Sequence, residues 1–170
     1  NARFDIVKKN ERQRFEFQHR LADGSVRDVE VFSGTVVIDN RLLLLSTILD
    51  ITKRKKTEQT LRMLSEAVRQ SPEAIVITDT DARIVYVNEA FSEHTGYSRE
   101  EALGQNPRIL NAGNTPLETY RAMWESLQKG ESWRGEFKNR RKDGTLFVEF
   151  AVIAPIRQPD GQITHYVAVK

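Results

Sequence analysis

The chain has 170 residues, enough for one ordinary domain or two small ones. Its apolar fraction of 39% can build a core and its charged fraction of 29% keeps the surface wet. A formal net charge of +2 is too weak a bias to point to nucleic acid or a membrane surface. With no cysteine, the sequence excludes disulfides, thiolate metal sites, covalent haem attachment and a thiol nucleophile.

No apolar run approaches the length of a membrane span, and no signal peptide is visible, so a cytoplasmic location is expected. Residues 14–21 read as a strand, and Asp23-Gly24 supplies a tight hairpin turn. Residues 26–38 follow, with Val29 and Val31 on one face and Glu30 and Phe32 on the other. Asp39-Asn40 is a second turn. The strand 41–49 is apolar on both faces at Leu42, Leu43, Leu44 and Leu45, so it is expected to be covered on both sides. Residues 52–70 hold no glycine or proline and read as a helix. The basic run Lys53-Arg54-Lys55-Lys56 opens it, Leu61, Leu64 and Val68 share one face, and Pro72 closes it.

Short strands at 74–78 and 83–87 come next, separated by a polar turn. Asn88 is a good N-cap for a helix over 89–94, and Gly96 a good C-terminal stop. Ser98 with Glu101 forms a capping box for a further short helix ending at Gly104. Residues 105–114 are a loop with one helical turn. Thr115 with Glu118 reads as a second capping box, with Pro116 at the first helical position. That helix carries Leu117, Tyr120, Trp124 and Leu127 on one stripe and stops at Gly130. Strands at 132–141, 145–156 and 162–169 finish the chain, turning at Asp143-Gly144 and Pro159-Asp160-Gly161.

The sequence also repeats itself. Residues 16–24 read EFQHRLADG and residues 136–144 read EFKNRRKDG, each followed by two further strands. The second copy has a full unit in front of it. The reading is therefore α+β, an antiparallel sheet with short helices on one face, nearly complete in the second copy and partial in the first. The boundaries are 1–52 for the partial copy, 53–71 for a linker helix and 72–170 for the second copy. A sheet under a cluster of short helices leaves a pocket between the layers.

Ala74–Asp79 (AIVITD), Val87–Gly96 (VNEAFSEHTG), Tyr97–Gly104 (YSREEALG) and Trp133–Gly144 (WRGEFKNRRKDG), with the closing strands, resemble the PAS family. Asp50-Ile51-Thr52 resembles the tripeptide that ends such a domain and begins a signalling helix. The resemblance implies tandem PAS modules. The second is similar to flavin-binding members of the family in redox and aerotaxis sensors, through Trp124, Trp133-x-Gly135 and the run Asn139–Lys142. The light-sensing flavin branch places a cysteine where this chain has Pro107, so thiol-adduct photochemistry is not expected.

What the resemblance implies for the site is a flavin, FAD, bound by Asn139, Trp124, Asn88 and Trp133. The residue chemistry is compatible. An amide carries both a donor and an acceptor and can pair with the pyrimidine edge of the ring, although Asn139 also suits a hairpin end. Trp124 can form a pocket wall or pack in a core, Trp133 likewise, and capping already accounts for Asn88. Arg140, Arg141 and Lys142 could attract a pyrophosphate or be a solvated hairpin end. His19, His94 and His165 share no metal-ligand spacing, and no nucleophile elbow, P-loop or dinucleotide fingerprint appears, so no enzymatic activity is expected. Two functions remain open: a flavin-based redox or oxygen sensor, and a module with another ligand or none that serves dimerisation and relay. In either, the expected partners are a second copy through the linker helix and a C-terminal effector such as a kinase or diguanylate cyclase. No nucleic acid or membrane contact is expected within this stretch.

Overall fold

The computed structural model describes residues 13–170, and the chain divides into two compact units, Asn1–Leu64 and Ser65–Lys170. In the first, strands β1 (Gln13–Arg20), β2 (Val26–Ile38) and β3 (Arg41–Asp50) form an antiparallel sheet in the order β1-β2-β3. Both hairpins sit at the turns expected. Asp39 and Asn40 take φ of 49° and 60°, as a two-residue hairpin loop between Ile38 and Arg41 requires.

Helix α1 (Thr52–Arg69) leaves this sheet through Asp50-Ile51-Thr52. Asp50 Oδ1 accepts the Thr52 N–H at 2.9 Å, Thr52 Oγ1 accepts the Asp28 N–H at 2.9 Å, and Ile51 is buried between them. Arg27 Nη1 reaches Asp50 Oδ2 at 2.6 Å. The tripeptide therefore ties the first turn of the helix to the central strand. Its carboxylate satisfies a helix N–H that would otherwise lack a partner.

One expectation fails here. Every residue of β3 is exposed, so no layer covers Leu42–Leu45 among the described residues. Apolar residues on both faces report that a strand can be covered, and what lies against it is a tertiary matter. Val29 and Val31, which share one face, are buried, and Glu30 on the other face is buried too and is ion-paired to Arg14.

In the second unit, β4 (Ile75–Asp79), β5 (Ile84–Val87), β6 (Trp133–Arg140), β7 (Leu146–Arg157) and β8 (Ile163–Val169) form one antiparallel sheet in the order β5-β4-β8-β7-β6. Helices α2 (Glu89–Thr95), α3 (Arg99–Ala102) and α4 (Leu117–Gln128), with a 3₁₀ turn at Pro107–Leu110, link β5 to β6. Two apolar clusters hold helices to sheet. Phe91, Ala102 and Leu110 pack on Val76, Ile84 and Ala168, while Met123 and Leu127 pack on Trp133, Phe137 and Ala151.

The expected caps at Asn88, Gly96 and Ser98 all form. The second capping box does not. Thr115 Oγ1 accepts the Lys138 N–H at 2.8 Å instead, and α4 starts after Pro116 without a side-chain cap. A strand-edge donor thus captures the hydroxyl that the sequence pattern assigns to the helix. Leu117 is exposed, and Met123 takes its place on the buried stripe.

The hydrogen bonds from the Thr52 side chain and backbone, and then Arg27, hold the Asp50 carboxyl at about 2, below its ordinary 3.8. A depressed carboxylate stabilises the folded state above its unfolded value and loses that effect as pH falls through its folded value. The first turn of α1 is therefore expected to keep its protection down to about pH 4 and lose it progressively toward about pH 2. Amide hydrogen exchange at Thr52 reads this out, and Asp50→Asn should flatten that part of the profile.

Candidate functional site

Between the two apolar clusters lies a cavity of about 140 Å³, bounded by sheet residues Val76, Phe137, Ile153 and Ala168 and by Met123 and Trp124 of α4. Inward positions of the strands reach it by simple alternation: Phe137 and Asn139 on β6, Tyr166 and Ala168 on β8, and Lys170 one step further on. Residues 106–111 close one side. Asn106 caps the 3₁₀ turn through the Arg108 N–H at 3.0 Å, and Asn111 then pairs with Asn139 through a backbone bridge.

The polar end of the cavity is a buried network. Asn139 is 6% exposed, and the side chains of Glu149 and Lys170 are each 7% exposed. Glu149 Oε2 accepts from Asn139 Nδ2 at 2.8 Å and is ion-paired to Lys170 Nζ at 3.0 Å. The carboxylate fixes which way the amide faces, because it can only accept. That leaves Asn139 Oδ1 as a buried acceptor and the remaining Lys170 ammonium hydrogens as buried donors, none with a side-chain or backbone partner among the described residues. A ligand edge bearing adjacent N–H and C=O groups would satisfy both.

Of the four residues expected at a cofactor, Asn139 and Trp124 line this cavity and Trp133 and Asn88 do not. Trp124 meets Tyr166 edge-to-face at 5.7 Å, an aromatic corner of the wall. Trp133 lies behind the wall, against Phe137 at 5.1 Å and over the Cα of Gly135. Its Trp-x-Gly spacing thus serves packing, since a Cβ at residue 135 would stand 2.3 Å from the indole. Asn88 is a structural clasp. Its Oδ1 accepts from Ile75 N and Phe91 N, and its Nδ2 hydrogens are shared among the carbonyls of Val68, Ser71 and Glu73.

The basic run after Asn139 is also engaged elsewhere. Arg141 donates to the His94 carbonyl at 2.7 Å and lies over the Phe147 ring, and Lys142 pairs with Glu101 at 2.5 Å. Sequence reasoning missed Glu149, Lys170, Tyr166 and Arg108. A signal existed for one of them: Glu149 is the only charged residue among the inward positions Phe147, Glu149, Ala151 and Ile153 of its strand. Arg108 is exposed at the cavity mouth. Pro107 lines the cavity as well.

A family model described as the PAS fold matches residues 62–169. The chain belongs to the PAS family. The match begins within α1 and covers the five-stranded unit, so this unit is the PAS fold that the sequence suggested for the second copy. Among curated relatives, a nitrogen fixation regulatory protein of Klebsiella oxytoca is 40% identical over 114 residues, 67% of this chain and 23% of its own length. A hybrid signal transduction histidine kinase L of Dictyostelium discoideum is 31% identical over 159 residues, 91% of this chain and 9% of its own. The chain therefore spans only a small part of these relatives. A structure described as a flavin analogue in a light-oxygen-voltage domain superposes with a TM-score of 0.58 at 31% identity, covering 63% of this chain and 82% of that one.

Gly135→Ala is expected to destabilise the PAS unit by about 1–3 kcal/mol, because the indole must leave its seat. Urea denaturation followed by tryptophan fluorescence measures it, and an unchanged midpoint would contradict the packing role given to Trp133.

Proposed function

We propose that this PAS unit is the sensory input of a larger signalling protein and holds a flavin in the cavity, with the pyrimidine edge of the ring against Asn139 and Lys170. The observation that carries the reading is the pair of buried, unspent groups at one end of an otherwise apolar space. A single hydrogen bond in such a place contributes about 1 kcal/mol and leaving it unmade costs more. A flavin edge offers an acceptor to the ammonium and a donor to the amide oxygen, and Trp124 and Tyr166 offer aromatic surface to its body. The exposed Arg108 at the mouth suits a phosphate of FAD. The regulatory and light-oxygen-voltage relatives support the same reading. When bound, the group would supply reversible redox chemistry. The chain's own part is to orient the ring, exclude water and hold Asn139 ready to respond. Because Asn139 Nδ2 is tied to Glu149, a rotation of the amide has to exchange that bond, which would pass a change at the ring into β7.

The fit is good in chemistry and short in volume. About 140 Å³ lies below the roughly 300–1,000 Å³ of ordinary ligand pockets, so the ring enters only as side chains yield, and the unbranched Met123 is the most adaptable of those lining it. That volume favours a second reading, a smaller ligand or none, with the unit acting in dimerisation and relay.

We further propose that β1–β3 are the C-terminal half of a preceding PAS module, with 1–52, 53–71 and 72–170 as module, linker and module. The pairing Gln13↔Ser33 recurs as Trp133↔Ile153, an offset of 120 in both strands (133 − 13 and 153 − 33). The histidine kinase relative spans both units. Helix α1 buries none of its residues, and Leu61 and Leu64 are exposed, which suits a parallel dimer feeding a kinase or a diguanylate cyclase.

Two measurements test these proposals. Purified protein reconstituted with FAD should show the visible absorption of oxidised flavin, and Asn139→Ala should bind it about tenfold less tightly while keeping its fold. A wild-type protein that takes up no flavin would overturn the reading. In sedimentation, the double change Leu61→Glu and Leu64→Glu should convert a dimer to a monomer, and a native chain that is monomeric at every concentration would contradict the dimer.

A further inference from the structure

We infer that Lys170 sets the charge this cavity favours, so that a bound ring edge is stabilised when it becomes negative. The inference rests on the flavin reading and adds to it a direction of tuning. Lys170 lines the cavity and Glu149 does not, so the ion pair presents its positive end to a ligand. Both side chains are 7% exposed, where water screens little and a charge beside a ring acts strongly on its electronics. The other cation on the lining, Arg108, is exposed to solvent and screened accordingly.

Lys170 is held firmly in place. Its N–H donates to the Ala74 carbonyl at 3.0 Å, and its own carbonyl accepts the Ala74 N–H at 3.1 Å, so the backbone is pinned to the residue just before β4. Among the described residues the ammonium has one protein partner, Glu149 Oε2, which it shares with Asn139. An ammonium with hydrogens left over is a donor to a ring carbonyl in the oxidised state. Once that edge turns anionic the same contact joins two opposite charges and strengthens. Two-electron reduction with one proton taken up at the central ring nitrogen leaves one negative charge on the pyrimidine side, and Lys170 favours that product over the neutral ring.

The test is reductive titration of the FAD-loaded protein with dithionite, which is itself oxidised to sulfite, against a reference dye. Lys170→Met removes the charge at nearly constant length. Its affinity for reduced relative to oxidised flavin should fall about tenfold, which for a two-electron couple moves the midpoint about 30 mV more negative. Lys170→Arg should stay close to the native value, which a merely structural role would not require. Glu149→Gln, which leaves the cation unpaired, should move the midpoint the opposite way. If Lys170→Met does not fold or load, the double variant Lys170→Met with Glu149→Gln carries no lone buried charge and should still show a midpoint more negative than native. A loaded Lys170→Met, or double variant, with the native midpoint overturns this inference alone. A native protein that takes up no flavin overturns the reading of the site and this inference with it.

Discussion

Glu149 is a carboxylate taken out of water on the inner face of a sheet, and one end of the PAS unit is organised around what it needs. An unpaired buried carboxylate costs several kcal/mol, so its neighbours must bring charge and hydrogen bonds. Lys170 brings the charge from the strand on one side of β7, and Asn139 brings an amide from the strand on the other. The acid therefore joins the three closing strands at one point. It uses one donor from each partner and leaves the rest of their capacity facing the cavity. A hydrophobic residue at this position would be simpler to bury, and would leave the amide and the ammonium with nothing to orient them.

The apolar remainder of the site follows from packing around that polar end. Phe137 stands two residues before Asn139 on the same face, and Trp133, Tyr120 and Ala151 gather on it. Gly135 lets the indole lie flat on the strand. Ile153 touches both apolar clusters, so the cavity between them is a gap in one continuous core. Asn88 plays the corresponding part at the other edge of the sheet, where one amide serves the end of α1, the entry to β4 and the start of α2. A change at the cavity thus meets the packed inner face of the sheet, and the residues that end α1 are fastened to the same unit.

The first sheet poses a different physical problem. Its central strand is anchored to α1 by Asp50-Ile51-Thr52 and by a cluster in which Lys55 meets Glu16 at 3.0 Å and Asp28 at 3.5 Å. Such exposed ion pairs contribute little each, so local hydrogen bonding and the buried Ile51 carry the junction. Among the described residues nothing covers the leucines of β3, and adjoining exposed apolar side chains fit the proposal that this sheet belongs to a larger module.

By itself the sequence determined what is local. Asp-Gly and Asp-Asn turns, the caps at Asn88 and Ser98, the left-handed stop at Gly96 and the alternation of the strands depend on residues a few positions apart, and each was legible. The repeat was legible too, because equal spacing produces equal register. Tertiary structure alone decided which of these residues work together. Whether Thr115 caps its own helix or Lys138, whether Leu117 or Met123 faces the core, and whether Trp133 lines a pocket or backs it depend on surfaces distant in the chain. The same holds for the site. Asn139 could be singled out because an amide is versatile anywhere, but Lys170 reads as an ordinary surface charge until β8 lies beside β7 and sets it against Glu149. A buried charge acquires its meaning from its partner, and strand order supplied the partner.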